Sequence, residues 1–206
     1  MRVTAKVKQQ TRERILESAR TLFKQKGFDQ TTTRDIAAAA KIAVGTLFNY
    51  FATKEALALA IIGGCFDSAS QEFQSRLKGN EQLDERLFAH VASNLRHLRP
   101  HRRYVLGLLE STINPLVETC DAEGRQAGGR DAHLATVKTL LTSNGAGPGN
   151  EPSIVTMHLY WTLFLGVLAY WTADESDYQE DTLVLLDQSM KLFVNSLVVN
   201  QNPSGS

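Results

Sequence analysis

Cysteine is scarce: Cys65 and Cys120 are the only two in a chain of 206 residues, and they make no CxxC pair. That excludes a multi-bridge disulfide scaffold and fits reduced thiols in a cytoplasmic protein. Net charge is also missing, with 22 Lys and Arg against 22 Asp and Glu, so the overall balance selects no partner. No stretch alternates apolar and polar residues with period two, which leaves β-strands without a signal. No apolar segment follows the charged N-terminus, so no signal peptide is expected. One run, 154–171, is apolar enough to raise a membrane question. It only just reaches spanning length and contains Thr156, His158 and Thr162, so it reads as a buried helix.

What is present is a globular composition, 43% hydrophobic and 21% charged, in a chain long enough to bury a sizeable core. The charge is unevenly placed. Residues 1–64 hold eleven basic and five acidic residues, and the remainder holds eleven and seventeen. A basic head on an acidic body suggests that one end meets a polyanion.

Helical periodicity runs through almost the whole chain. Ile15, Leu16, Ala19, Leu22 and Phe23 share one helix face that ends near Gly27. Leu57, Ile61, Cys65, Ala69, Phe73 and Leu77 repeat every four residues, predicting a long helix from Lys54. Further helices are expected over Leu83–Leu98, stopped by Pro100, over Tyr104–Ile113, and around Leu134–Leu141. A loop rich in Gly, Asn and Pro at 143–152 precedes two long apolar helices, about 153–174 and 178–199. The expected fold class is all-α. The domains read as 1–53, a helix-turn-helix head, and 54–200, a helical body, with the helix 54–77 shared and 201–206 a polar tail.

The stretch from Thr31 to Phe51 carries the functional signal. Thr32 can cap a short helix, with Asp35 three residues on in the capping-box position. Ile36, Ala37 and Ala40 give that helix a small apolar face. A turn at Lys41-Ile42-Ala43 leads to a second short helix, Val44 to Tyr50. Two short helices joined by a tight turn are helix-turn-helix geometry, with the second helix meant for the major groove.

The segment FDQTTTRDIAAAAKIAVGTLFNYFATKEAL, Phe28 to Leu57, resembles the DNA-binding head of the tetracycline-repressor (TetR) family. The TTxRDIA run, the GTL-aromatic-x-x-F block and the KEAL opening of the next helix carry the resemblance. It is strong over residues 8–62 and only architectural beyond. It implies that Thr33 and Arg34 touch phosphate and a base edge. Val44, Gly45, Thr46, Phe48 and Asn49 would form the groove-facing surface. Tyr50 stands where the family often has a phosphate-contacting His or Tyr, and Lys54 would grip phosphate. Leu47 and Phe51 would point into the head's core. The chain departs from the family at Lys41, usually Gly, at Ala43, usually a Ser or Thr cap, at Val44, often Lys, and at Phe48, commonly Tyr. Fewer polar donors then face the groove, which favours contact of Val44 with a thymine methyl and of Asn49 with adenine.

The resemblance further implies a homodimer on a palindromic operator in double-stranded DNA, most simply a repressor, released by an unidentified small-molecule effector. Leu183, Leu186, Met190, Phe193 and Leu197, with Gly166 and Ala169 of the preceding helix, are the expected dimer seam; the alternative is that these helices bury each other within one subunit. Tyr104, Glu110, Asn114, His158, Tyr160, Trp161 and Phe164 are candidates to line an effector pocket. Gly63-Gly64, inside the long helix, reads either as a bending point or as close packing against the first helix.

Other chemistry is not supported. The glycine-rich stretch 124–129 lacks GK[ST] and a preceding strand. His90, His97 and His101 have no carboxylate or Cys to complete a metal set, and a solvated or capping role is expected for them. No cofactor, membrane anchor or catalytic set is expected, so the chain does not read as an enzyme. The rival to a DNA-binding regulator is a helical module whose basic head contacts a protein partner.

Overall fold

The computed structural model describes residues 5–110, 129–145 and 151–199. Among these the elements are α1 (Ala5–Lys26), α2 (Thr33–Ala39), α3 (Val44–Phe48), α4 (Lys54–Arg76), α5 (Leu83–Leu98), α6 (Val105–Glu110), α7 (Arg130–Ser143), α8 (Ile154–Ala173) and α9 (Glu180–Val199). No strand occurs among the described residues. The glycine-rich stretch 124–128, the expected helical residues 111–113, Cys120 and the tail lie outside them.

Two units divide the chain, and the division falls within α4, after Gly64. The first includes α1, α2, α3 and the start of α4. Its helix boundaries follow local chemistry. α1 ends at Gly27, which takes φ +83°, a left-handed value that glycine adopts without penalty. α2 begins with a complete capping box: the Asp35 amide donates to Thr32 Oγ1 at 3.2 Å, and the Thr32 amide donates to Asp35 Oδ2 at 3.0 Å. The Thr32 amide and, at 3.0 Å, the Thr32 hydroxyl both donate to the Asp35 carboxylate and hold it below its ordinary range. Ile15, Ala19, Ile36, Ala40, Leu47, Phe51, Leu57 and Ile61 are all at 0% exposure. A Cβ on Gly64 would meet the Arg20 guanidinium of α1 at 3.5 Å, an ordinary contact, and α4 runs unbroken through this glycine.

The second unit is a helical body. α9 packs on α5 and α8, and α7 packs on α5 and α8. Pro100 does not simply break α5: the chain continues as a single 3-10 turn, Arg99–His101, with the proline in its first turn, where its missing N–H costs nothing. α8 starts at Ser153, whose hydroxyl accepts from the Thr156 amide at 3.1 Å. Its residues Tyr160, Trp161, Phe164, Leu165, Leu168 and Trp171 are buried. This is the one helix among the described residues long and apolar enough to cross a membrane; one face of it enters the core, while His158, Leu159, Thr162 and Tyr170 lie exposed, so it is less buried than expected.

The corner between α8 and α9 is closed by Asp174. Its carboxylate accepts from the Ser176 amide at 2.8 Å and hydroxyl at 2.6 Å, from the Thr182 amide at 2.9 Å, and from the Thr182 hydroxyl. Arg102 donates to the Trp171 carbonyl at 2.8 Å and to the Asp174 carbonyl. Four donors on one carboxylate favour its charged form and push its pKa far down.

Candidate nucleic-acid interface and effector site

Thr33 and Arg34 lie on α2, Val44, Gly45, Thr46 and Phe48 on α3, Asn49 and Tyr50 just after it, and Lys54 at the start of α4. Leu47 is buried at 0%, while Phe48 next to it is 45% exposed. Arg34, Gly45 and Asn49 are exposed, and Thr33, Val44, Thr46 and Tyr50 are half-buried.

The turn between α2 and α3 is built as the sequence implies. Lys41 sits at φ +54°, a left-handed conformation that costs a β-carbon-bearing residue roughly 1 kcal/mol or more. Ala43 is the N-cap residue of α3, in extended conformation and with no side-chain cap bond. The short α3 is therefore held by its buried Leu47 and by the Phe51 that follows rather than by its own cap. Asn49 is the C-cap residue of α3 and Tyr50 lies just past it, so the recognition helix is two residues shorter than expected.

Lys54 has a partner that sequence reasoning missed. Its ammonium donates to the Phe28 carbonyl at 2.9 Å and stands 4.1 Å from the centre of the Phe28 ring. Phe28 in turn meets the Phe23 ring edge-on at 5.2 Å. Lys54 thus ties the start of α4 to the loop after α1 with one of its three N–H groups. Arg12 lies over the Phe51 ring at 5.2 Å.

In the body the sequence-based pocket set divides. Trp161 and Phe164 are buried side by side, with ring centres 5.2 Å apart, and Tyr160 is buried beside them. Tyr104 is half-buried, its hydroxyl 2.5 Å from His101 Nδ1. His158 is exposed on α8 and does not join this buried group. Asn114 and the Glu110 side chain lie outside the described residues.

The expected seam needs correction as well. Leu186, Met190 and Phe193 are buried at 0–1% within one chain, where α9 packs on α5 and α8. They are core and cannot face a second copy. Leu183 is 41% exposed, Gly166 is exposed, and Ala169 and Leu197 are half-buried.

The three histidines weighed for metal also part. His97 lies 2.7 Å from the Glu72 carboxylate, which also takes Arg76 at 2.9 Å and Arg96 at 3.2 Å; the His97 hydrogen bond and these cations lower the Glu72 pKa. His101 pairs with Tyr104. His90 is fully buried, not solvated, and keeps company with His133 of α7, a residue that the sequence did not single out. No group of three potential metal ligands occurs among the described residues.

A filled core beneath an exposed pair of short helices, joined by a left-handed turn residue, defines a helix-turn-helix DNA-binding head. Residues 15–61 match the family model for bacterial regulatory proteins of the tetR family, and residues 86–203 match the tetracyclin repressor-like C-terminal domain. The chain belongs to the tetR family of bacterial regulatory proteins. Among its relatives is the HTH-type transcriptional regulator UidR of Escherichia coli, 37% identical over 76 residues, which are 37% of this chain and 39% of UidR. The chain therefore aligns with well under half of that relative. An uncharacterized HTH-type regulator of Mycobacterium tuberculosis is 26% identical over 167 residues, covering 80% of this chain and 78% of that protein. The fold is shared with Thermus thermophilus FadR, a repressor solved with lauroyl-CoA, at TM-score 0.67 and 22% identity over 95% of this chain and 99% of that one. It is shared also with Salmonella enterica GusR, at TM-score 0.53 and 24% identity over 95% and 98%.

Proposed function

We propose that the chain acts in the cytoplasm as a homodimeric repressor that binds a palindromic operator and is released by a small molecule. The observation that carries this reading is the exposed surface of Arg34, Phe48 and Asn49 above the fully buried Leu47 and Phe51. Arg34 and Lys54 would hold phosphates, and Val44, Phe48 and Asn49 would meet base edges. A symmetric dimer reads two half-sites about 34 Å apart, one helical turn.

The dimer seam in this reading uses the faces of α8 and α9 that the chain leaves uncovered. On α8, Leu159 (43% exposed), Thr162, Gly166 and Tyr170 (45%) recur at helical spacing. On α9, Val184 and Leu192 are 62% and 70% exposed. Nothing lies within 4 Å of a Cβ placed on Gly166, which leaves room for a second backbone. The complex of Thermus thermophilus FadR with lauroyl-CoA supports a body that receives a small molecule. A 100-fold loss of DNA affinity on effector binding corresponds to about 2.7 kcal/mol of coupling, and operator DNA must weaken effector binding by the same factor.

The test is a gel shift and footprint on DNA from the chain's own upstream region. A protected palindrome supports the reading. No shift on any upstream fragment would favour a protein partner for the basic head.

A further inference from the structure

His90 and Asn94 on α5, His133 on α7 and Trp161 on α8 are each fully buried. Five of their polar atoms nevertheless have no hydrogen-bond partner: both ring nitrogens of His90, Nδ1 of His133, Oδ1 of Asn94 and Nε1 of Trp161. The two imidazole rings lie 4.6 Å apart, inclined by 31°. The His133 ring also meets Phe66 at 5.2 Å, Phe164 at 4.5 Å and Trp161 at 5.8 Å. Burial pushes His90 down to about 4 and holds His133 well below its ordinary value, so both rings are neutral at pH 7. The His133 backbone favours a charged His90, but burial outweighs it.

Native cores leave few buried polar atoms unpaired. Five in one cluster, contributed by three helices, exceed the roughly three bonds that a single buried water makes. Their donor and acceptor character can be read off. The Tyr160 hydroxyl lies 3.2 Å from His133 Nε2; when it donates there, His133 Nδ1 carries the N–H. The Asn94 amide donates to the His90 carbonyl at 2.7 Å, leaving its Oδ1 as an acceptor. The cluster then presents N–H groups from His133, Trp161 and His90, and acceptors at Asn94 Oδ1 and the second nitrogen of His90.

The geometry points to this cluster as the recognition site for an uncharged, ring-bearing small molecule that carries both a carbonyl and a hydroxyl group. This deepens, and rests on, the reading of the body as an effector receptor. The carbonyl accepts from the imidazole and indole N–H groups, the hydroxyl donates to Asn94 or His90, and the ring stacks among the aromatic side chains. In the present packing those side chains close on one another, so the ligand enters by displacing them and thereby alters how α7 sits between α5 and α8. Neutral imidazoles and an indole do not compensate a carboxylate for its lost water. Arg130 stacks over the Trp161 ring at 5.5 Å and is the cation that an anionic ligand would have to use.

The full-length chain, with no DNA present, is titrated with 4-hydroxyacetophenone, toluene and 4-hydroxybenzoate, and binding is read by calorimetry and tryptophan fluorescence. 4-Hydroxyacetophenone is expected to bind at least about tenfold more tightly than either of the others. His90→Phe and His133→Phe should each weaken it about tenfold; His90→Phe should leave Tm unchanged or higher, because an apolar ring of similar shape removes two unpaired atoms, whereas His133→Phe leaves the buried Tyr160 hydroxyl without its partner and should lower Tm. Asn94→Leu supplies the same comparison where a Phe variant fails to fold. No binding of 4-hydroxyacetophenone up to millimolar concentration would overturn the inference. So would equal binding of toluene, tighter binding of 4-hydroxybenzoate, or unchanged affinity in the folded variants. Failure to bind operator DNA would instead count against the regulatory reading, since no DNA enters this experiment.

Discussion

The Lys54 ammonium donates a 2.9 Å hydrogen bond to the Phe28 carbonyl and lies 4.1 Å from the centre of the Phe28 ring. A residue expected to hold phosphate is thus also a brace within the head. Lys54→Met should lower head stability by about 1–2 kcal/mol, by removing a charge-assisted hydrogen bond and a cation–π interaction, and should weaken DNA binding as well. Arg34, exposed on α2, makes the cleaner probe: Arg34→Ala should leave stability within about 0.5 kcal/mol and affect DNA binding alone. Thermal melts of both variants check the contrast. Equal stability losses would contradict it.

The α2–α3 turn should be open to improvement. Lys41→Gly removes the left-handed penalty at φ +54° and should stabilise the head by roughly 0.5–1 kcal/mol. Ala43→Ser adds the missing cap to α3, worth about 1 kcal/mol. Denaturant titration reads both, and a decrease in stability from either would mean that the turn is held by forces other than those described.

The acid behaviour of the body should follow its buried imidazoles. His90 and His133 refuse, when folded, the protons that the unfolded chain takes up below about 6.5. Their neutral form therefore contributes fully above that pH, and stability falls as pH drops from 6.5 towards about 4. The double variant His90→Phe, His133→Phe should flatten this window. Asp174, whose pKa its Ser176 and Thr182 hydrogen bonds depress, contributes above 3.8 and is lost only below it. Denaturation series at about pH 7.5, 6 and 5 separate the two; a flat profile in the parent chain would contradict the assignment.

The seam prediction turns on two adjacent residues. Phe193, 1% exposed, should unfold the body when replaced by Asp, because a buried unpaired charge costs several kcal/mol. Leu192, 70% exposed, should tolerate Glu in the fold and yield a monomer that no longer shifts operator DNA. Light scattering on folded Leu192→Glu decides; an intact dimer would place the seam elsewhere.

Local signals were the legible ones. The Thr32–Asp35 box, the left-handed Lys41, the uncapped Ala43 and the end of α1 at Gly27 each follow from a few neighbouring residues. Helical spacing on α9 marked the face of Leu186, Met190 and Phe193, but spacing cannot say whether its own chain or a second copy covers that face. Pairings between distant residues were not readable. Lys54 and Phe28 are 26 positions apart, and the His90–His133 pair joins α5 to α7. A lone His in an apolar helix carries no sign of the ring it will meet, and only the unpaired atoms seen after folding mark that cluster.

The central claim is that the exposed α2–α3 surface holds DNA phosphates. Its most direct measurement is the salt dependence of operator affinity, by fluorescence anisotropy, for the parent chain and for Arg34→Ala. The variant should bind more weakly. Its log–log slope should be shallower by about 0.9 for each phosphate that Arg34 neutralises, hence about 1.8 per symmetric dimer. An Arg34→Ala chain with unchanged affinity and unchanged slope would contradict the claim.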